Sequence, residues 1–492
     1  LPPLADYHQV DLEGLQVAES ATFGGEHLCR QVLDKLQLGD CLKGCGMTAK
    51  QVDKARIAIA ARALFSASEH KTAQLLARNS SLKELYHYDQ SISHKALYAI
   101  SDQLYGHRKA IDRFLYRRFT DMFDLQDKIV IFDISNTYFE TRKSSSALAK
   151  YGRSKEKRND CPLVVFTAVI NSQGFIKHSR IYEGNKADVK TIEEMVEGLE
   201  ANTQQGDTKK TVVMDAGMAS EENLRFIRSK GYHYVCVSRH RIKDYEVSTT
   251  QTLTQLTDRG KGQVKLHLFH PDGYQDTWMY VQSEEKRKKE QSMQHKLHER
   301  LIEDFSAIQE SLSKKGGTKR IEKVWERIGR VKEKHRNVSG QYAIEVEGEQ
   351  GKATHITWSK KTPSKVKEDK EQGVYFLRTS YEKTNEKELW GIYNTIREVE
   401  STFRCLKSEL NIRPVHHQKD ERIEAHIYLT ILAYQLVNTI RYMLKEKGIR
   451  YGWNNIVTIM STQTIQTIEV HTDKKNIHLR KPARPIKEVQ QI

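Results

Sequence analysis

KIVIFDIS, residues 128–135, is a β-branched and aromatic run that leads into a single carboxylate, Asp133. Apolar at successive rather than alternate positions, it has the pattern of a strand buried on both faces. KTVVMDAG, residues 210–217, has the same grammar and leads into Asp215. An acid at the end of a buried strand is costly to desolvate unless a charge meets it. If the two strands are neighbours, the acids stand side by side. Each then raises the other's pKa unless a divalent cation neutralises both.

The residues around these runs spell a sheet. PLVVFTAVIN (162–171) and GFIKHSRIYEGN (174–185) read as strands, with Ser172, Gln173 and Gly174 as a hairpin turn. DVKTIEEMVEGLEAN (188–202) reads as a helix, as does SEENLRFIRSKG (220–231), which Gly231 ends. YHYVCVSR (232–239) is a further strand. The order β-β-β-α-β-α-β predicts an α/β fold, a mixed sheet begun by a meander and finished by crossovers.

YNTIREVESTFRCLKSEL, residues 393–410, supplies a third carboxylate. Ile392, Ile396, Val399, Phe403, Leu406 and Leu410 recur at helical steps and form an apolar face. One residue further round run Tyr393, Arg397, Glu400, Arg404 and Lys407. If this helix packs on the sheet, Glu400 joins Asp133 and Asp215. Three carboxylates suit two hard cations, Mg²⁺ or Mn²⁺. Two ions about 4 Å apart would clamp the attacking and leaving oxygens of an in-line phosphoryl displacement. Arg404 and Lys407, within two turns of Glu400, would hold backbone phosphates. Tyr393 would hydrogen-bond a phosphate or stack on a base. Tyr151, Lys155 and Arg158, just before the second strand, are candidates to grip the strand being cut.

The 492 residues suffice for two to four domains. Lys plus Arg number 80 against 64 Asp plus Glu, a net charge of +16 spread along the chain. Such an excess favours a polyanion, and nucleic acid is the common one. No run of about 18 apolar residues offers a membrane span. LPPLADYHQVDLEG at the start lacks the basic onset and apolar centre of a signal peptide. No G-x-x-x-x-G-K-[ST] suggests ATP. Six scattered cysteines read as reduced thiols. Neither Cys41 with Cys45 nor His416, His417 and His426 fits a known zinc spacing, so zinc is not expected.

Residues 1–125 read as helical, with Ser91 and Ser93 as N-caps, and suit a DNA-binding domain. Residues 126–239 are the first part of the sheet domain. Residues 240–385 interrupt it with an α+β insertion containing a long charged helix. The Glu400 helix and the apolar ERIEAHIYLTILAYQLVNTIRYMLKEKG then complete the domain over 386–450. Residues 451–492 read as a polar, basic tail.

Taken together, IVIFDISNTYFET, YGRSKEKRNDCPLVVFTAVI, IYEGNKADVKT, VVMDAGMASEENL, YNTIREVESTFRCLKSEL and RPVHHQKDERIEAHI resemble the DDE transposases of bacterial insertion sequences. The likeness runs from about residue 60 to about 447. It points to the branch with a large insertion before the glutamate and a Tyr-Arg-Glu-Lys signature around it. The resemblance implies an RNase H-like core in which Asp133, Asp215 and Glu400 bind two Mg²⁺ or Mn²⁺ ions. Tyr393 and Lys407 match the signature's Tyr and Lys; its Arg position holds Ile396, with Arg397 beside it. The implied activity is binding of terminal inverted repeats, cleavage at the element's ends and joining of 3′-hydroxyls to target DNA. A homodimer on double-stranded DNA is implied, without ATP or membrane, in the bacterial cytoplasm at the nucleoid. A nuclease of the same fold without strand transfer, and an inactive DNA-binding protein, are the alternatives.

Overall fold

The computed structural model describes residues 10–492 except 126–127, 141–144, 155, 187–190, 203–209, 239–244, 246–251, 259–261, 362–371 and 474. The chain forms two compact units, residues 1–236 with 391–492, and residues 237–390.

In the first unit the chain opens with a strand, β1 (Val10–Thr22), where helix is expected from the sequence. Helices follow, among them α1 (Ala49–Phe65), α2 (Glu69–Arg78), α3 (His94–Gly106) and α4 (Arg108–Phe123). Ser93 caps α3 by accepting from the Ala96 N–H at 3.2 Å; Ser91 lies before the cap. Leu97, Ile100 and Leu104 of α3 are buried, and the helix packs on α1.

Next comes the meander β2 (Ile129–Tyr138), β3 (Leu163–Asn171) and β4 (Ile176–Glu183). The β3–β4 turn is closed by Asn171, whose Oδ1 accepts from the Gln173 and Phe175 N–H groups. Gly174 takes φ +86°, the left-handed region open to glycine. Then come α5 (Ile192–Asn202), β5 (Thr211–Met214), α6 (Glu221–Ser229) and β6 (His233–Val237). The order across these strands is β4-β3-β2-β5-β6. β2 pairs antiparallel with β3 and parallel with β5, and β5 pairs parallel with β6. This is the α/β class expected, an RNase H-like mixed sheet with flanking helices.

Side chains alternate across the sheet. Val130, Phe132 and Ile134 join Val212, Met214 and Cys236 in one core with Met195 and Leu199 of α5 and Leu224 and Ile227 of α6. Ile131, Asp133 and Ser135 therefore face the other way.

The second unit begins β7 (Thr254–Thr257), β8 (Gln263–Phe269) and β9 (Thr277–Ser283). The long charged helix α7 (Glu284–Ser313), α8 (Ile321–Lys334) and the hairpin β10 (Tyr342–Glu349)–β11 (Lys352–Lys360) follow. Leu301, Phe305, Val324, Ile328 and Ile356 give these elements a core of their own. β12 (Val374–Thr379) returns to pair with β9, in the order β12-β9-β8-β7.

The last segments are α9 (Glu386–Asn394), α10 (Ile396–Arg404), a π-helical turn (Cys405–Glu409) and α11 (Asp420–Glu446). α11 is buried on nearly every side against α1 and α3, which is why its sequence is apolar all round. Residues 451–492 are not a loose tail. They form α12 (Trp453–Ser461), β13 (Thr464–Thr472) and β14 (Asn476–Pro482), and β13 pairs with both β1 and β14. Alternation in these polar strands is weak, and the β1–β13 pairing joins residues some 450 positions apart. Neither end alone predicts it.

Candidate active site

β2 runs five residues past Asp133, so the acid is not at the end of its strand. What ends there is the pairing with β5, whose last partners are Phe132 and Met214. The pairing with β3 continues to Tyr138 opposite Leu163. Asp133 and Asp215 are thus the next residues along two neighbouring parallel strands. β5 stops one residue short of Asp215, which opens the sheet at this point. Asp133 is half-buried and Asp215 exposed. Asp133 Oδ1 accepts from the Ile134 N–H at 2.7 Å, and Asp215 Oδ1 from the Ala216 N–H at 2.6 Å.

The helix that carries Glu400 packs on the same sheet. Phe403, one turn beyond it, packs on Phe166 of β3 with ring centroids 5.5 Å apart. Phe166 pairs across to Ser135, which shares Asp133's face of β2, and α10 contacts β2 itself. Thr402 Oγ1 lies 2.7 Å from the Tyr434 hydroxyl, which donates to the Gly174 carbonyl at 2.8 Å. Tyr434 therefore ties the Glu400 helix to the β3–β4 hairpin. Glu400 itself is exposed.

The expected single helix over 393–410 is three pieces. Thr395 separates α9 from α10, and its hydroxyl donates to the Ile392 carbonyl at 2.6 Å. The Leu410 N–H donates to the Cys405 carbonyl at 2.9 Å, five residues back, which widens the last turn. Tyr393, Ile396 and Arg397 are half-buried, Arg404 is exposed, and Trp390 is buried. Lys407 lies in the widened turn. Its ammonium donates to Glu156 Oε1 at 2.9 Å, and Arg413 pairs with the same oxygen. Arg158 grips Asp160 through two hydrogen bonds of 2.8 and 3.0 Å and lies 4.6 Å from the Tyr138 ring centre. Tyr151 is exposed. Lys155 lies outside the described residues.

Asp133, Asp215 and Glu400 offer only carboxylate oxygens, half-buried or solvated. That chemistry fits Mg²⁺ or Mn²⁺. Neutral nitrogen ligands gather elsewhere. Glu69, at the start of α2, faces His417 and His426, and beside them stands the buried Arg62. Burial alone would push the Glu69 carboxyl up, but His417, His426 and Arg62 outweigh it and hold it well below the usual range. Burial, with Arg62 adding, pushes the His426 imidazole down to about 4. Glu69 precedes His417 by almost 350 positions, so no spacing rule marks this cluster. His416 is not part of it.

The mixed sheet has Asp133 and Asp215 just beyond the last β2–β5 pair, and the helix carrying Glu400 packs on it. Residues 126–436, more than half of the chain, match the family described as Transposase DDE domain, and the chain belongs to that family. Its members are polynucleotidyl transferases and endonucleases that act on DNA in transposition and generally use divalent metal ions. One structural neighbour is the piggyBac transposase synaptic complex with hairpin DNA. It is 10% identical, covers 80% of this chain and 75% of that one, and has a TM-score of 0.32, at which the likeness bears no weight. A search of curated proteins returned no match. Among the described residues no helix is long and apolar enough to cross a membrane.

Proposed function

We propose that the chain binds the terminal inverted repeats of an insertion sequence, cleaves at the element's ends and joins the freed 3′-hydroxyls to target DNA. What supports the proposal is that Asp133 and Asp215 directly follow the last β2–β5 pair, while the helix carrying Glu400 packs through Phe403 on Phe166 of the same sheet. Two divalent cations held there supply activation of the attacking oxygen and stabilisation of the leaving one. Asp133 within β2 and Asp215 just past the end of β5 would set the spacing of the donor oxygens. Glu400 supplies the third carboxylate from a helix that Tyr434 and Phe403 anchor.

Arg404, exposed four residues after Glu400, contacts the phosphate backbone near the cut. Lys407 does so after exchanging Glu156 for a phosphate. Tyr393 and Arg397 contact DNA from the preceding turns, and Lys155 and Arg158 from the loop before β3. The assembly on DNA is a homodimer, because two ends must be joined.

The test uses linear DNA carrying the inverted repeats that flank the reading frame, a supercoiled target plasmid and Mg²⁺. Joined 3′-ends in the target, lost in Asp215→Asn, support the reading. Cleavage without joining indicates the nuclease alternative. Binding of ends with neither reaction overturns the catalytic reading.

A further inference from the structure

Glu69 Oε1 stands 3.5 Å from His426 Nδ1 and 3.7 Å from His417 Nε2, and the three donor atoms lie within 4.8 Å of one another. Their side chains are 9%, 8% and 13% exposed. These separations are long for charge-assisted hydrogen bonds, which run about 2.7–2.9 Å. The two distances from Glu69 are close to the roughly 3.4 Å edge of a tetrahedron whose bonds to a central ion are about 2.0–2.2 Å. One carboxylate oxygen and two imidazole nitrogens are a donor set for Zn²⁺, unlike the all-oxygen set at Asp133 and Asp215.

The surroundings orient the rings. His426 turns Nδ1 to Glu69, and its Nε2 lies 3.4 Å from the Ile412 carbonyl. A histidine that ligates metal commonly donates its other N–H to a backbone carbonyl in this way. Arg62 Nη2 is 3.3 Å from the same Nε2, but the guanidinium donates to the carbonyls of Ala67 and Asn411 and to Thr430 Oγ1. The Tyr98 ring stands edge-on to His417 with centroids 5.3 Å apart.

We propose that Glu69, His417 and His426 bind one Zn²⁺ ion at a structural site separate from the carboxylates of the active site. Water takes the fourth position. The ion ties the start of α2 to the start of α11 and to the segment leading into it. That segment reaches the active-site strand directly, since the Val415 N–H donates to the Tyr138 carbonyl at 2.8 Å.

The full chain is saturated with Zn²⁺, freed of unbound metal by gel filtration and analysed for metal content. The proposal expects about one equivalent per chain in the wild type and in Asp133→Asn/Asp215→Asn. His417→Ala should weaken Zn²⁺ binding more than about 100-fold, beyond the usual effect of losing an outer-shell partner. Co²⁺ in place of Zn²⁺ should give the wild type the intense visible absorption of a tetrahedral site. Should His417→Ala not fold, that spectrum decides. A wild type without stoichiometric zinc, a pale octahedral Co²⁺ spectrum, or equal zinc in His417→Ala would overturn the proposal. The cluster would then be a carboxylate hydrogen-bonded to two histidines beside Arg62 and nothing more.

Discussion

Two groups of titratable side chains in the same compact unit are built on opposite terms. Asp133 and Asp215 stand where the β2–β5 pairing ends, and Glu400 lies on a helix packed on that sheet. Two of them are exposed, and the aspartates accept hydrogen bonds from the N–H of the next residue. Glu69, His417 and His426 are sunk between α1, α2 and α11 beside a guanidinium that is itself buried. A solvated carboxylate contributes little to folding, so it is available for chemistry. A buried one is committed: its removal strands the positive charge beside it. The same change, carboxylate to amide, therefore has different consequences in the two places.

The largest expected effect is on activity in the first group. Asp133→Asn, Asp215→Asn and Glu400→Gln should each reduce end cleavage by at least about 10³-fold, because metal-assisted stabilisation is worth several kcal/mol. Affinity for the ends and the urea midpoint should stay near wild type. A variant that cleaves normally is not a ligand, and the comparison loses that member.

The second effect is on stability. Glu69→Gln should cost about 3–5 kcal/mol in urea unfolding of the metal-free protein, since it removes the negative charge that offsets the buried Arg62 guanidinium nearby. A loss below about 1 kcal/mol would place Glu69 with the solvated acids and erase the contrast.

A third acid sharpens the comparison through pH. Burial pushes the half-buried Asp112 carboxyl up to about 7, against the lowering effects of the Tyr428 hydroxyl, which donates to it at 2.8 Å, and of Arg108. The folded pKa lies above the ordinary value of about 3.9, so the folded chain retains a proton that the unfolded chain has lost. The stability this gives is present below about pH 4 and is lost as pH rises through 7. Asp112→Asn should add about 2 kcal/mol at pH 8, half the full shift because the residue is half-buried, and little at pH 4. Urea midpoints measured across that range test it. An unchanged slope shows that Asp112 ionises freely.

The smallest effect concerns Glu156, shared by Lys407 and Arg413. If Lys407 exchanges this partner for a DNA phosphate, Glu156→Gln should tighten end binding by about 1 kcal/mol. Lys407→Ala should weaken it relative to Lys445→Ala, a control on α11. Equal affinities for the two lysine variants would leave Lys407 a structural ion pair.

The sequence by itself determined the order β-β-β-α-β-α-β over 128–239, and singled out Asp133, Asp215 and Glu400 as the acids worth testing. Local patterning carries that information: two continuous apolar runs each lead into one acid, and Glu400 lies beside the apolar stripe of its helix. The long charged helix of the insertion was legible from its charge pattern. What only the tertiary structure decided is whatever depends on distant partners. Asp133 is uncovered because β5 stops, and not because its own strand does. The Glu400 helix widens at Cys405–Glu409, which the helical periodicity did not foretell. β1 is a strand because β13 lies beside it, and Glu69 meets His417 and His426 because α11 packs on α1. In each case the deciding interaction joins residues far apart in the chain, and periodicity within a window carries no information about such a partner.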